Sequence, residues 1–213
     1  MVKEKQNGNV LFLILIAVVL FAALSYAVTQ STRGGGDTDS ENVAIMASQA
    51  TQYASRVKTA AMRMMLIGGT DLTTINFTDV PNGRAGLQFD RCTSGVNCVF
   101  ADEGGGIEYI PLPPIDLTNR DWQVAESIAL VSVSGVGTAA PDDILYAQEI
   151  SLEACEAFNK GLGLPATPVQ NTTELAIPGP DTIDAYPGEE FGCIENGAPS
   201  TGTYWYYHVL VAR

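Results

Sequence analysis

The chain has 213 residues, of which 24 are acidic and 11 basic, giving a formal net charge of −13. A surface this acidic repels a phosphate backbone, which argues against nucleic acid as a partner for the bulk of the chain. Four cysteines, Cys92, Cys98, Cys155 and Cys193, form no CxxC pair, and His208 is the lone histidine, so the ligand supply for a zinc site is poor and neither metal nor other cofactor is expected.

The first element is an apolar block. Residues Val10 to Val28 read VLFLILIAVVLFAALSYAV, with no charge between Lys5 and Arg33. At about 1.5 Å per residue the block spans roughly 28 Å, close to the hydrocarbon thickness of a bilayer. Lys3 and Lys5 precede it, which keeps the N-terminus cytoplasmic and exports the remainder. Three readings fit these residues: a cleaved secretory signal ending at Ser25-Tyr26-Ala27, a plain single-span anchor, or a short leader cut on the cytoplasmic side of a retained helix.

For the third reading the residues are MVKEKQNG, a short lysine-containing leader ending in Gly8, followed at once by Asn9-Val10-Leu11-Phe12. This resembles the class III signal of bacterial type IV pilins and pilin-like pseudopilins, in which a prepilin peptidase cuts after a glycine. The resemblance implies cleavage between Gly8 and Asn9 and a helix that stays in the mature subunit. Two positions are atypical. The family usually has Phe after the scissile glycine, where Asn9 stands here, and Glu at the fifth mature position, where Leu13 stands.

Residues 9–32 are therefore expected to be a transmembrane and filament-core helix. The small residues Ala17, Ala22, Ala23, Ser25 and Ala27 permit close approach between helices. Together with Leu13 they are the candidate assembly positions. Residues 33–39, with Gly34, Gly35 and Gly36, read as a glycine-rich break. Residues 40–67 have helical spacing. Val43, Ala47, Ala50, Ala54, Val57, Ala61 and Met64 recur at steps of four and three, with Gln49, Gln52, Arg56, Thr59 and Arg63 opposite. That stripe reads as core packing, with an oligomer seam as the alternative, and Gly68 and Gly69 end the helix.

Residues 68–213 read as a β-rich head, because Gly, Pro, Asn and Asp punctuate short apolar runs. Candidate strands are Gly86–Arg91, Cys98–Ala101, Ile107–Ile110, Ile128–Val133 and Tyr204–Val211. Ser151 caps a short helix from Leu152 to Lys160, and residues 164–192 form a proline-rich excursion.

An even cysteine count in an exported chain reads as two disulfides. Three connectivities are possible. Cys92–Cys98 with Cys155–Cys193 is favoured because Cys92 and Cys98 flank a tight-turn sequence. In the chain-entropy picture the two loops contribute roughly 2.4 and 4 kcal/mol.

No catalytic set is visible. His208 sits in a strand pattern, and Ser134-Gly135-Val136-Gly137 lacks the order of a nucleophile elbow. The pairs Asp102-Glu103, Asp142-Asp143 and Glu189-Glu190 read as solvated loop charge, with a calcium site as the alternative. The chain is not expected to be an enzyme.

Together these features describe an α+β protein. A long N-terminal helix, apolar then amphipathic, packs on an antiparallel sheet with two disulfides. The expected role is a structural subunit of a type IV pilus-like or pseudopilus filament, partnered by further copies and other pilins. It is expected in the inner membrane before assembly, and in an extracellular filament or periplasmic pseudopilus afterwards. The alternative is a single-span or secreted surface binding protein.

Overall fold

The structure is a computed structural model that describes residues 8–31, 35–71, 74–77, 95–115, 121–125, 131–138, 140–176 and 181–213. Residues 1–42 and 43–213 form two compact units. The chain is α+β with an antiparallel sheet, as expected.

In the first unit, helix α1 runs over Gly8–Ser31. No glycine or proline interrupts the sequence between Asn9 and Ser31, so every interior backbone donor has its helical acceptor. Helix α2 runs over Gly35–Leu66, and its residues from Val43 onward belong to the second unit. Where a long N-terminal helix with a break at 33–39 was expected, the described residues give one helix of 24 residues and one of 32. Residues 35–39 of the expected glycine-rich break belong to α2, with Gly35 and Gly36 in its first turn, and residues 32–34 lie outside the described residues. The first turn of a helix has no intrahelical donor bonds to lose, so glycine is tolerated there.

In the second unit, a four-stranded sheet has the order β1-β3-β6-β5, with every neighbouring pair antiparallel. The strands are β1 (Gln123–Ala125), β3 (Asp143–Ile150), β5 (Phe191–Glu195) and β6 (Tyr204–Val211). Two short strands, β2 (Ser132–Val133) and β4 (Thr182–Ile183), pair in parallel beside it. Helix α3 covers Leu152–Leu162.

The central strands are buried on both faces, and the pleat sorts their side chains into two cores. Leu145, Ala147, Tyr206 and Leu210 join the α2 stripe Ala47, Ala50, Ala54, Val57, Ala61 and Met64, together with Phe158 of α3. Ile144, Tyr146, Tyr207 and Val209 face the other way, onto Val133, Ile183, Tyr186 and Ile194. The alanines on α2 let its backbone approach the broad aromatic side chains of β6 closely. Tyr206 stacks on Phe158 with ring centroids 4.2 Å apart.

Strand β6 and helix α3 lie where the sequence places them. Ser151 is the N-cap, its hydroxyl accepting from the Ala154 N–H at 3.1 Å, and Gly163 closes α3 at φ 77°, a left-handed conformation that suits glycine. Four strands were not expected: β1, β3, β4 and β5. Of the expected strands, Cys98–Ala101 and Ile107–Ile110 are turn and extended chain, although Cys98 bridges to Asn76. Glycines at 104, 105 and 106 fold this stretch back on itself, with Gly105 N–H donating to the Cys98 carbonyl. Only residues 132–133 of the expected strand 128–133 form β2. Gly86–Arg91 lies outside the described residues.

Candidate functional site

The expected assembly residues lie on α1. The helix begins at Gly8, so the expected cleavage bond between Gly8 and Asn9 falls in its first turn. Side chains are described from Phe12 to Tyr26, and all of them are solvent-exposed in the isolated chain. Phe12, Leu13, Ile14, Leu15 and Ile16 follow at successive 100° steps and so sweep the whole circumference. Phe21 is 75% exposed and Leu24 64%. Ala17, Ala22, Ala23 and Ser25 interrupt these large side chains with small ones, and the side chain of Ala27 lies outside the described residues.

A helix apolar on all sides belongs in a hydrocarbon phase or among other helices. Among the described residues no helix is long and apolar enough to cross a membrane. The side chains described in α1 cover 12–26, a shorter stretch than the apolar block Val10–Val28 of the sequence.

Of the expected disulfides, Cys155–Cys193 is present, with a Cα–Cα distance of 5.2 Å. It is the one disulfide with both partners among the described residues. Cys98 is buried and not a free thiol, and Cys92 lies outside the described residues. The Cys155–Cys193 bond ties α3 to β5, the edge strand of the sheet.

Beside that bond is a residue that sequence reasoning missed. Asn159 is fully buried, and its side chain binds both backbone groups of Cys193 and the hydroxyl of Tyr186. The available signal was position: Asn159 lies four residues after Cys155, on the same helical face, where asparagine is a poor helix former.

The carboxylate pairs divide. Asp142 and Asp143 are fully buried, so their expectation as solvated loop charge is corrected. Asp142 accepts from the N–H groups of Val133 and Arg213 at 3.0 and 2.9 Å. Burial pushes its carboxyl above the usual range, against those bonds and the nearby Arg213 charge. Asp143 pairs with the Arg213 guanidinium at 2.8 Å. Glu190 pairs with Lys58 of α2, while Asp102, Glu103 and Glu189 are exposed. Glu103 accepts from the Gly95 N–H at 3.0 Å, which lowers its carboxyl below the usual range.

His208 is on β6 and buried under α2, with its Nδ1 3.0 Å from the Tyr206 hydroxyl. Burial lowers its pKa to about 4, and the Lys58 charge adds to the effect while Glu190 opposes it. Burial likewise raises Tyr53, to about 12, and Tyr206. These polar groups are parts of the helix–sheet junction. Among the described residues no group of three His, Cys, Asp or Glu is placed to hold a metal ion.

A groove of about 460 Å³ is lined by Arg63, Gly68, Asp71 and Glu103, and two more mark the head. One, of about 350 Å³, lies between Arg56 and Arg63 of α2 and the turn Gly105-Gly106-Ile107. The other, of about 280 Å³, is lined by Gln148, Glu149, Glu174, Asn196, Ser200 and Trp205. No protein-family model, curated protein or solved structure matches the chain.

Proposed function

We propose that the chain is a structural subunit of a type IV pilus-like or pseudopilus filament that assembles through its apolar N-terminal helix. The observation that carries this reading is α1, which presents large apolar side chains on every side from Phe12 to Tyr26. Leaving such a surface in water costs roughly 25 cal/mol per Å² of apolar area, so a bilayer or a bundle of like helices must cover it. The leader motif ending at Gly8 supplies the second support.

In this reading a prepilin peptidase cuts between Gly8 and Asn9. The new subunit waits in the inner membrane with its head exported. It then enters an extracellular filament or periplasmic pseudopilus, with further copies and other pilins as neighbours. Apolar residues from α1 line the filament axis, and Leu13 takes the place of a charge that would otherwise fix register. A second disulfide, Cys92–Cys98, completes the head, and α1 and α2 act as the two halves of the pilin helix. The role is structural, and no enzymatic step is assigned to the head.

Electron microscopy of sheared surface material and N-terminal sequencing of the exported chain test the proposal together. Filaments containing a chain that starts at Asn9 are expected. A start at Val28, or a monomer in detergent extracts with no filament, overturns it. The groove at Glu149, Glu174 and Trp205 favours the second reading, a single-span or secreted surface binding protein. Glu149 holds a left-handed φ of 51° in the β3 bulge, a strained conformation of the kind found at ligand sites.

A further inference from the structure

We propose that Arg56 and Arg63 form a docking groove for carboxylates of a second copy of this chain, an inference that rests on the filament reading. The two arginines stand seven residues apart on the exposed side of α2, about 10 Å along its axis. Arg63 donates to the Gly105 carbonyl, and Arg56 lies beside it in the same groove. Neither has a carboxylate partner among the described residues. The other two cations on the same unit with deep contacts are paired, Lys58 with Glu190 and Arg213 with Asp143. Of the described cations on this unit, Arg56, Arg63 and Lys160 have no ion pair among the described residues, and of these Arg56 and Arg63 share one groove.

The wall opposite the arginines is fixed. A Cβ on Gly105 would come within 2.2 Å of the Val99 carbonyl oxygen, so this turn is packed as tightly as glycine allows. The rest of the lining decides which anion fits. The N–H groups of Gly105, Gly106 and Ile107 already donate to the carbonyls of Cys98, Ala101 and Val99. Ser55 and Thr59 spend their hydroxyl protons on the carbonyls of Thr51 and Ser55. No backbone cradle of the kind that holds a phosphate is left. What remains is the pair of guanidinium forks, whose planar geometry matches carboxylates.

A spacing of about 10 Å suits two carboxylates two turns apart on one face of a helix. In an assembled filament neighbouring copies, each strongly acidic, supply carboxylates. The groove therefore gives the acidic heads an attractive contact that offsets part of their mutual repulsion.

The test uses full-length chain in filaments prepared from a mixture of ¹⁴N- and ¹⁵N-labelled copies. Arg56→Lys and Arg63→Lys keep the charge and add an amine that a zero-length carbodiimide joins to a touching carboxylate. Mixed-isotope cross-linked peptides through position 56 or 63, absent from the unsubstituted chain, are expected. In parallel, Arg56→Glu with Arg63→Glu is expected to lower the assembled fraction about tenfold or more at low salt, with an unchanged melting curve of the head.

Filaments that form normally from the charge-reversed chain overturn the inference while leaving the filament reading intact. Cross-links confined to one copy, or made to a different protein, also overturn it. If the unsubstituted chain makes no filament at all, the inference falls with that reading.

Discussion

Asn159 holds Cys193 by both of its backbone groups. Its Oδ1 accepts from the Cys193 N–H at 2.8 Å, and its Nδ2 donates to the Cys193 carbonyl at 2.8 Å. Cys193 lies on β5, the outer strand of the sheet, so these two groups have no further strand to pair with. The amide of Asn159 takes the place of that strand, and the edge is covered where it would otherwise invite pairing.

Replacing Asn159 with alanine leaves both groups buried and unpaired. A loss of roughly 2–6 kcal/mol in folding free energy is expected, because each of the two orphaned groups costs about 1–3 kcal/mol. Urea unfolding measures it. Reducing the Cys155–Cys193 bond, whose cysteines are 38 residues apart, is expected to cost about 4 kcal/mol more by the chain-entropy argument. A reduced Asn159→Ala head that stays as stable as the oxidised parent sinks this account of the edge.

Asp143 and Arg213 join the ends of β3 and β6 through an ion pair that is fully buried on the carboxylate side. Asp143→Ala removes the carboxylate that pairs with the Arg213 guanidinium, whose side chain is 13% exposed. A loss of about 3 kcal/mol is expected from breaking one side of a buried pair. Asp143→Ala with Arg213→Met should recover part of that loss, since neither partner is then left charged. Thermal unfolding of the single and double variants shows whether it does.

His208 makes the head sensitive to acid. Its pKa falls from 6.5 to about 4 on folding, so the unfolded chain binds the extra proton between those values. Stability is complete above about pH 6.5 and declines as the pH falls toward 4, by on the order of 3 kcal/mol over the whole window. Asp142 works in the opposite direction, because its raised carboxyl takes up a proton more readily in the folded state. The His208→Gln variant isolates the histidine contribution. Its stability should change less between pH 7 and pH 4.5 than that of the parent, and equal slopes would discount His208.

Ala23 lies on the apolar α1 helix, and Ala23→Arg places a charge where the filament reading buries α1 among like helices. The cost of an unpaired charge there is several kcal/mol, roughly enough to abolish assembly. The head, which forms a separate compact unit, should keep its melting temperature. Electron microscopy and thermal melts of the same preparation read both outcomes. Normal filaments from this variant would refute the buried position of α1.

The sequence alone determined the elements whose signals are local. The apolar run of α1, the Ala47-to-Met64 stripe of α2, the Ser151 cap of α3 and the aromatic run of β6 all repeat or terminate within a few residues, so spacing reveals them. Tertiary structure decided the rest. Strand β3 is buried on both faces and so lacks the polar alternation that marks a half-exposed strand. Strand β5 sits at the end of a proline-rich stretch and is held by Asn159 and β6 rather than by its own composition.

Asp142 and Asp143 looked like loop charge because the group that makes their burial tolerable, Arg213, is 70 residues from Asp143. Arg56 and Arg63 looked like one face of an amphipathic helix. The turn at Gly105, 42 residues beyond Arg63, makes that face one wall of a groove. A buried charge or a groove exists only when distant segments meet. The free energy that places such a residue comes from partners that local spacing does not contain.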